Sequence, residues 1–281
     1  YRYILNYLLF YTGKIPEYVN QTFDSIYKAE GESCKIYFCG DEKLKRKDIE
    51  FVQINDLNNE FIEEVRKLNY FKNESNLLWE SSFLRIFYLY ELAKKLRIDN
   101  FIHFDCDVLT YKPFESIKSS FVEGKLNITP VNEVFLNFSY SYISNIENFK
   151  KICTCLIEIV TNSTHYEKKY YAGRRLNEMI MLNIAYIKNP DDFNLLNVLP
   201  ENDSEFIFDP GSYGQYLGGV DKDFFSKKYT NDEQYVGRNI IKYGYDIKFN
   251  QGLPVVISNE REFQLVNLHI HKKTLRKFLS K

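Results

Sequence analysis

Through its first hundred residues the chain alternates short apolar runs with segments of helical period, and this alternation constrains the fold more than any other feature. Ile4 to Tyr11, Lys35 to Cys39 and Phe51 to Ile54 have the length and composition of buried strands. Between the first two, Tyr18 to Ala29 reads as a helix, with Val19, Phe23, Ile26 and Tyr27 at helical spacing. Ser81 to Leu96 is the most helix-like segment, because Phe83, Leu84, Phe87, Leu89, Tyr90, Leu92 and Ala93 leave only a narrow polar stripe. Ser81 or Ser82 suits its start, and Lys94, Lys95 and Arg97 suit its negative end. Strands joined by helices at this spacing build parallel sheets. The expected class is α/β, with a mixed, mainly parallel Rossmann-like sheet flanked by helices, in one domain over 1–281.

After the long helix comes Asn100-Phe101-Ile102-His103-Phe104-Asp105-Cys106-Asp107-Val108-Leu109. Its first half is a buried strand, and two carboxylates one residue apart sit at the strand's end. In open α/β sheets ligands bind at the carboxyl ends of strands. Side chains at i and i+2 of an extended chain share a side, so Asp105 and Asp107 are expected to face one ligand together. Converging carboxylates repel unless a cation or a proton intervenes, and a divalent metal held by oxygen ligands is their natural partner. A second such pair, Asp221-Lys222-Asp223, follows Gly218-Gly219 among lysines and reads as a solvated turn.

Arg85 is anomalous among the apolar residues of the helix, because a guanidinium there needs an anion. Two partners remain open: a structural ion pair with a core carboxylate, or Asp105 and a bound diphosphate. The turn after the first strand makes Tyr11, Thr12 and Gly13 candidate base or ribose contacts, against the alternative of an ordinary loop. With 37 basic and 38 acidic residues interspersed, no basic face points to nucleic acid. Five cysteines in apolar or helical settings indicate free thiols and a reducing, cytoplasmic location. No apolar run reaches the length of a membrane span, although peripheral membrane contact stays open. The opening Tyr1 to Phe10 reads as a first strand and not as a signal peptide.

The run Ser-Ser-Phe-Leu-Arg-Ile-Phe-Tyr-Leu-Tyr-Glu-Leu, a short basic link, and then Phe-Ile-His-Phe-Asp-Cys-Asp-Val-Leu-Thr-Tyr-Lys-Pro-Phe resembles the helix, strand and DXD region of GT-A-fold glycosyltransferases over Ser81 to Phe114. The resemblance implies a nucleotide-sugar donor, a UDP- or GDP-sugar, with its diphosphate held through Mn2+ or Mg2+ on Asp105 and Asp107. It places Arg85 at the family's basic position. The 1–114 half would bind the donor, and 115–281 a glycan, lipid or protein acceptor.

Further features follow from that resemblance. Phe135 to Ile143 alternates as a strand and Asn148 to Val160 follows as a helix. Glycogenin-like transferases carry an Asn-Ser-Gly-type turn here, where this chain has Asn137-Phe138-Ser139-Tyr140 and no glycine. Arg174 to Ile187 reads as a helix, and Glu178 near its start is a candidate acceptor-binding residue or base, or else a solvated helical glutamate. Phe206 to Gly219 carries four glycines and two tyrosines after Asp209. It looks like a sugar-binding loop with Asp209 as a hydroxyl ligand or general base and Gln215 as a polar contact. The alternative is a glycine-rich turn stabilised by an Asx-type aspartate. In Leu265 to His271, Val266, Leu268 and Ile270 alternate with Asn267, His269 and His271, so both imidazoles share one side. GT-A enzymes commonly supply a late histidine to the metal, and the resemblance makes His269 and His271 candidate ligands, with Lys272 and its basic neighbours on the diphosphate. An inverting reaction would require a base, Asp209 first and Glu178 second; a retaining one would not.

Two other classes compete. Phe104-Asp105-Cys106-Asp107-Val108-Leu109 also resembles the first motif of haloacid-dehalogenase-type phosphatases, with Asp105 as nucleophile, Asp107 as acid and Asp191-Asp192 as the later acidic pair. A non-catalytic carbohydrate-binding protein of the same fold is the other.

Overall fold

The computed structural model describes residues 4–58, 60–74, 76–201, 203–218 and 231–279. Asp221-Lys222-Asp223 lies outside them. The chain runs first through β1 (Leu5–Tyr11), α1 (Val19–Glu30), β2 (Cys34–Gly40), β3 (Glu50–Gln53), α2 (Glu60–Lys67), α3 (Leu77–Leu96), β4 (Phe101–Phe104), β5 (Val108–Thr110) and α4 (Phe114–Ile117). After it come β6 (Leu126–Pro130), β7 (Leu136–Ile143), α5 (Ile146–Thr161), α6 (Ser163–Tyr170), α7 (Glu178–Lys188), β8 (Phe193–Leu195), β9 (Phe206–Ile207), α8 (Tyr213–Gly218) and α9 (Tyr235–Tyr243). The chain closes with β10 (Asp246–Asn250), β11 (Leu253–Ser258), β12 (Arg261–Leu265) and β13 (Asn267–His269).

Seven strands form the main sheet in the order β3-β2-β1-β4-β7-β6-β8. Only β7 pairs antiparallel with its neighbours; the remaining pairings are parallel. The mixed, mainly parallel sheet is therefore present, and it draws strands from both halves of the chain. One face packs on α3, α5 and α7 through Phe83, Phe87, Phe149, Leu156 and Ile184, all at most 1 % exposed. The other covers α1 with Tyr7, Phe23, Phe38, Phe104 and Tyr140. Phenylalanine and tyrosine thus fill the core, where each ring removes a large apolar area from water.

Two departures from the sequence expectation bear on the site. The long helix begins at Leu77, not Ser81, because the Asn76 side chain accepts from Leu78 N at 3.0 Å and caps it. Ser81 instead donates to Leu78 O and turns toward the cleft. Strand β7 does not alternate through its length. Its register against β6 jumps between Ile128 and Thr129, whose partners are Ser141 and Asn137. Phe138 consequently joins the core under α3, while Tyr140 faces the opposite side. A bulge of this kind re-aims side chains beside a site, and here it lies where Asp105 N donates to Ser139 O.

Leu265 to His271 is not one strand. The chain leaves β12 at Leu265, and β13 pairs antiparallel with β5, with His269 opposite Val108. Both sides of β13 are buried, so the alternation there marks two kinds of core rather than core and solvent.

A candidate metal and nucleotide site

The sheet positions Asp105 immediately beyond β4, at the carboxyl end of a central strand. Asp105 and Asp107 converge through a turn closed by Val108 N to Asp105 O at 3.0 Å, not through an extended chain. Asp107, 7 % exposed, meets the imidazole of His269, with Nε2 3.0 Å from Oδ1, while its Oδ2 is ion-paired with Lys273. Asp105 is ion-paired with Arg85 Nη1. One ligand atom from each of Asp105, Asp107 and His269 lies within 4.8 Å of the others. That span suits a divalent cation making bonds of roughly 2.1 Å to two carboxylates and one imidazole.

The charges are strongly coupled. Burial raises the Asp105 carboxyl, but the Arg85 guanidinium and the His103 and His269 imidazoles more than reverse this, leaving it far below the usual range. Burial also opposes ionisation of Asp107, and His269 and Lys273 override it. His269 is raised in turn: burial pulls it down and Asp107 outweighs that. Both carboxylates are thus ionised and available to a cation at neutral pH.

Arg85 resolves its anomaly in favour of the site. Its guanidinium lies over the Phe138 ring at 5.5 Å from the centroid, the side chain is 12 % exposed, and its Nε is buried with no hydrogen-bond partner among the described residues. Glu178, at the first position of α7 behind the Asn177 cap, is felt electrostatically by both Arg85 and Asp105. Burial raises the Glu178 carboxyl, Arg85 lowers it and Asp105 raises it again. Glu178 is a half-buried residue.

A cleft of about 350 Å³ opens over Asp105 and Asp107, with Tyr11, Thr12, Tyr18, Ser82, Arg85 and Lys273 among its walls. It shares Phe10, Thr12 and Ser81 with a neighbouring cleft of about 420 Å³ that reaches Asp41, Arg66 and Tyr88. Tyr11 and Thr12 therefore stand where the sequence placed them. Gly13 does not line either cleft: its N–H donates to Asp41 Oδ1 at 2.7 Å and its φ of +86° is what glycine permits.

Three expectations are corrected. Asp209 is wholly buried, and its two oxygens accept five backbone N–H groups, from Gly211, Ser212, Tyr213, Gly214 and His269. No face remains for an acceptor hydroxyl, so it does not serve as the base; it is the Asx-type turn left open above, and Gln215 donates to Gly211 O beside it. His271 stacks on His269 at 4.1 Å between centroids, but its Nε2 bonds Gly211 O at 3.1 Å and it is not part of the Asp105, Asp107, His269 group. Burial and the neighbouring His269 hold it down to about 3. Lys272 is exposed, whereas Lys273 lines the cleft. The turn closed by Lys273 N to Ile270 O, with Lys273 at φ +61°, brings that ammonium back to Asp107.

Sequence reasoning passed over His103. It is fully buried, its Nδ1 donates to Leu8 O at 2.8 Å, it stacks on Phe138, and its Nε2 lies 3.5 Å from Asp105 Oδ1. A histidine two residues before Asp105 in an apolar strand was the available signal.

No family model matches the sequence, and no curated protein matches it either. Solved structures do. Mouse xyloside xylosyltransferase 1, in its apo form, superimposes with a TM-score of 0.52 at 13 % identity, over 69 % of this chain and 85 % of that one. The galactosyltransferase LgtC, solved with donor and acceptor sugar analogs, matches with a TM-score of 0.43 at 12 % identity over 64 % and 69 % of the two chains. The PaToxG glycosyltransferase matches at 0.44 and 12 % identity over 66 % and 70 %. The chain has the GT-A glycosyltransferase fold. The phosphatase reading does not fit that fold: four strands, β1 to β4, precede Asp105, and Asp191 and Asp192 lie in a 3-10 turn and line neither cleft, Asp192 accepting from Asn148.

Proposed function

We propose that the protein is a metal-dependent glycosyltransferase that moves a sugar from a UDP- or GDP-sugar to a hydroxyl of a glycan, lipid or protein acceptor. The observation that carries this reading is the Asp105, Asp107 and His269 group, whose two carboxylates line a cleft at the carboxyl end of β4. Asp105, Asp107 and His269 would hold Mn2+ or Mg2+, which supplies Lewis-acid stabilisation of the departing diphosphate. Lys273 and Arg85 add positive charge to the same cleft and favour an anionic leaving group there. Tyr11 and Thr12 line the same cleft as the two carboxylates, Thr12 also bordering the neighbouring one, and they are the proposed nucleoside contacts. Glu178 replaces Asp209 as the carboxylate that faces the reacting centre, as acceptor ligand or base. The five cysteines form no disulfide with one another, in keeping with a reducing, cytoplasmic setting. No helix among the described residues is long and apolar enough to cross a membrane.

A thermal-shift panel tests this reading, because a ligand that binds the folded state raises the melting temperature by mass action. UDP or GDP with Mn2+ should stabilise the wild type and not Asp107→Ala, with CMP as the control. Absence of any metal-dependent nucleotide response would overturn it.

A further inference from the structure

The carboxylate of Asp209 does more than start α8. Three helix-start amides, Gly211, Ser212 and Tyr213, converge on Oδ1 at 2.7 to 2.9 Å. The other oxygen, Oδ2, takes Gly214 N at 2.9 Å and, at the same distance, the N–H of His269, sixty positions further along the chain. His269 is the residue whose imidazole meets Asp107. Its backbone is clamped at a second point, since a Cβ on Gly214 would lie 1.9 Å from His269 O. The Asn267 amide completes the joint by accepting from Asp209 N at 3.0 Å and donating to Asp209 O at 3.3 Å. On the other flank, Ile270 N donates to Asp107 O at 2.9 Å.

A helix cap needs only the first oxygen. The second reaches across to one particular residue, and the one oxygen that holds His269 N also holds Gly214 N against the same strand. We infer that Asp209 is a positioning residue for the metal ion: by gripping the backbone of His269 it fixes where that imidazole stands relative to Asp105 and Asp107. The inference rests on the metal reading of those three side chains. It also explains why a carboxylate occupies this position. An asparagine could still accept the three helix-start amides, but its NH2 group would then oppose the N–H groups of His269 and Gly214. Partners that orient a ligating histidine are commonly worth 10- to 100-fold in metal affinity.

The test is a titration of the protein with Mn2+, free ion being counted by electron paramagnetic resonance. Asp209→Asn is expected to bind Mn2+ at least about tenfold more weakly than wild type. Leu156→Ala, a cavity variant in the core of α5, serves as a control for general loss of stability and should bind like wild type. Should Asp209→Asn not fold, Gly214→Ala keeps the carboxylate but displaces His269, and the same weakening is expected. Unchanged affinity in the folded variant, or an equal loss in Leu156→Ala, overturns the positioning role. A wild type that binds neither Mn2+ nor Mg2+ overturns the metal reading itself, and the inference with it.

Discussion

Two aspartate turns end short apolar strands in this molecule, and they do opposite things with their oxygens. Asp105 is followed by Cys106, Asp107 and a return into strand at β5, so few backbone amides are at hand and the carboxylates turn to a cleft lined by Arg85 and Lys273. Asp209 is followed by Pro210, by Gly211 at φ +92° and by the entry into α8, and the four residues from Gly211 to Gly214 turn their amides back to it. The chain downstream, not the carboxylate or the strand before it, decides whether an aspartate faces a ligand or fastens the scaffold.

Exchanging the loss should exchange the phenotype. Asp107→Ala is expected to lower sugar transfer by about three orders of magnitude, since metal stabilisation of a leaving group is worth several kcal/mol. Its melting temperature in EDTA should change little. Asp209→Ala should do the reverse in kind, costing at least roughly 3 kcal/mol of stability by stranding buried amide donors, as read by denaturant unfolding. If Asp209→Ala is as stable as wild type and only inactive, the contrast between the two turns is broken. A finer cut comes from adjacent lysines: Lys273→Gln should raise the donor KM about tenfold and Lys272→Gln should leave it unaltered, because only the former faces the cleft. Smallest is Asn76→Ala, expected to cost about 1 kcal/mol as a lost helix cap while Mn2+ affinity is retained.

The sheet was legible because its strands are short apolar runs set between helices, and periodicity alone separates the two. The acidic pair Asp105 and Asp107 was legible because two carboxylates at a strand end carry their chemistry in their residue types, whereas the resemblance offered His269 and His271 alike and only the geometry groups His269 with the pair. What lay beyond sequence has a physical cause in each case. Asp209 and its glycines look the same whether the amides turn to a ligand or back to the carboxylate. Lys272 and Lys273 are chemically identical, and only the turn after Ile270 separates them. The bulge in β7 breaks an alternation that the residues from Leu136 to Tyr142 display without interruption. The electrostatic link between Glu178 and Arg85 joins α7 to α3, a pairing that sequence does not display.

The most direct measurement is release of nucleoside diphosphate from a panel of UDP- and GDP-sugars, with Mn2+, Mg2+ or EDTA, by the wild type and Asp107→Ala. The account predicts turnover of donors carrying one of these nucleotides, dependent on added metal and lost in the variant. Release that persists in EDTA, or that Asp107→Ala retains, would contradict it, as would the absence of turnover with every donor and metal.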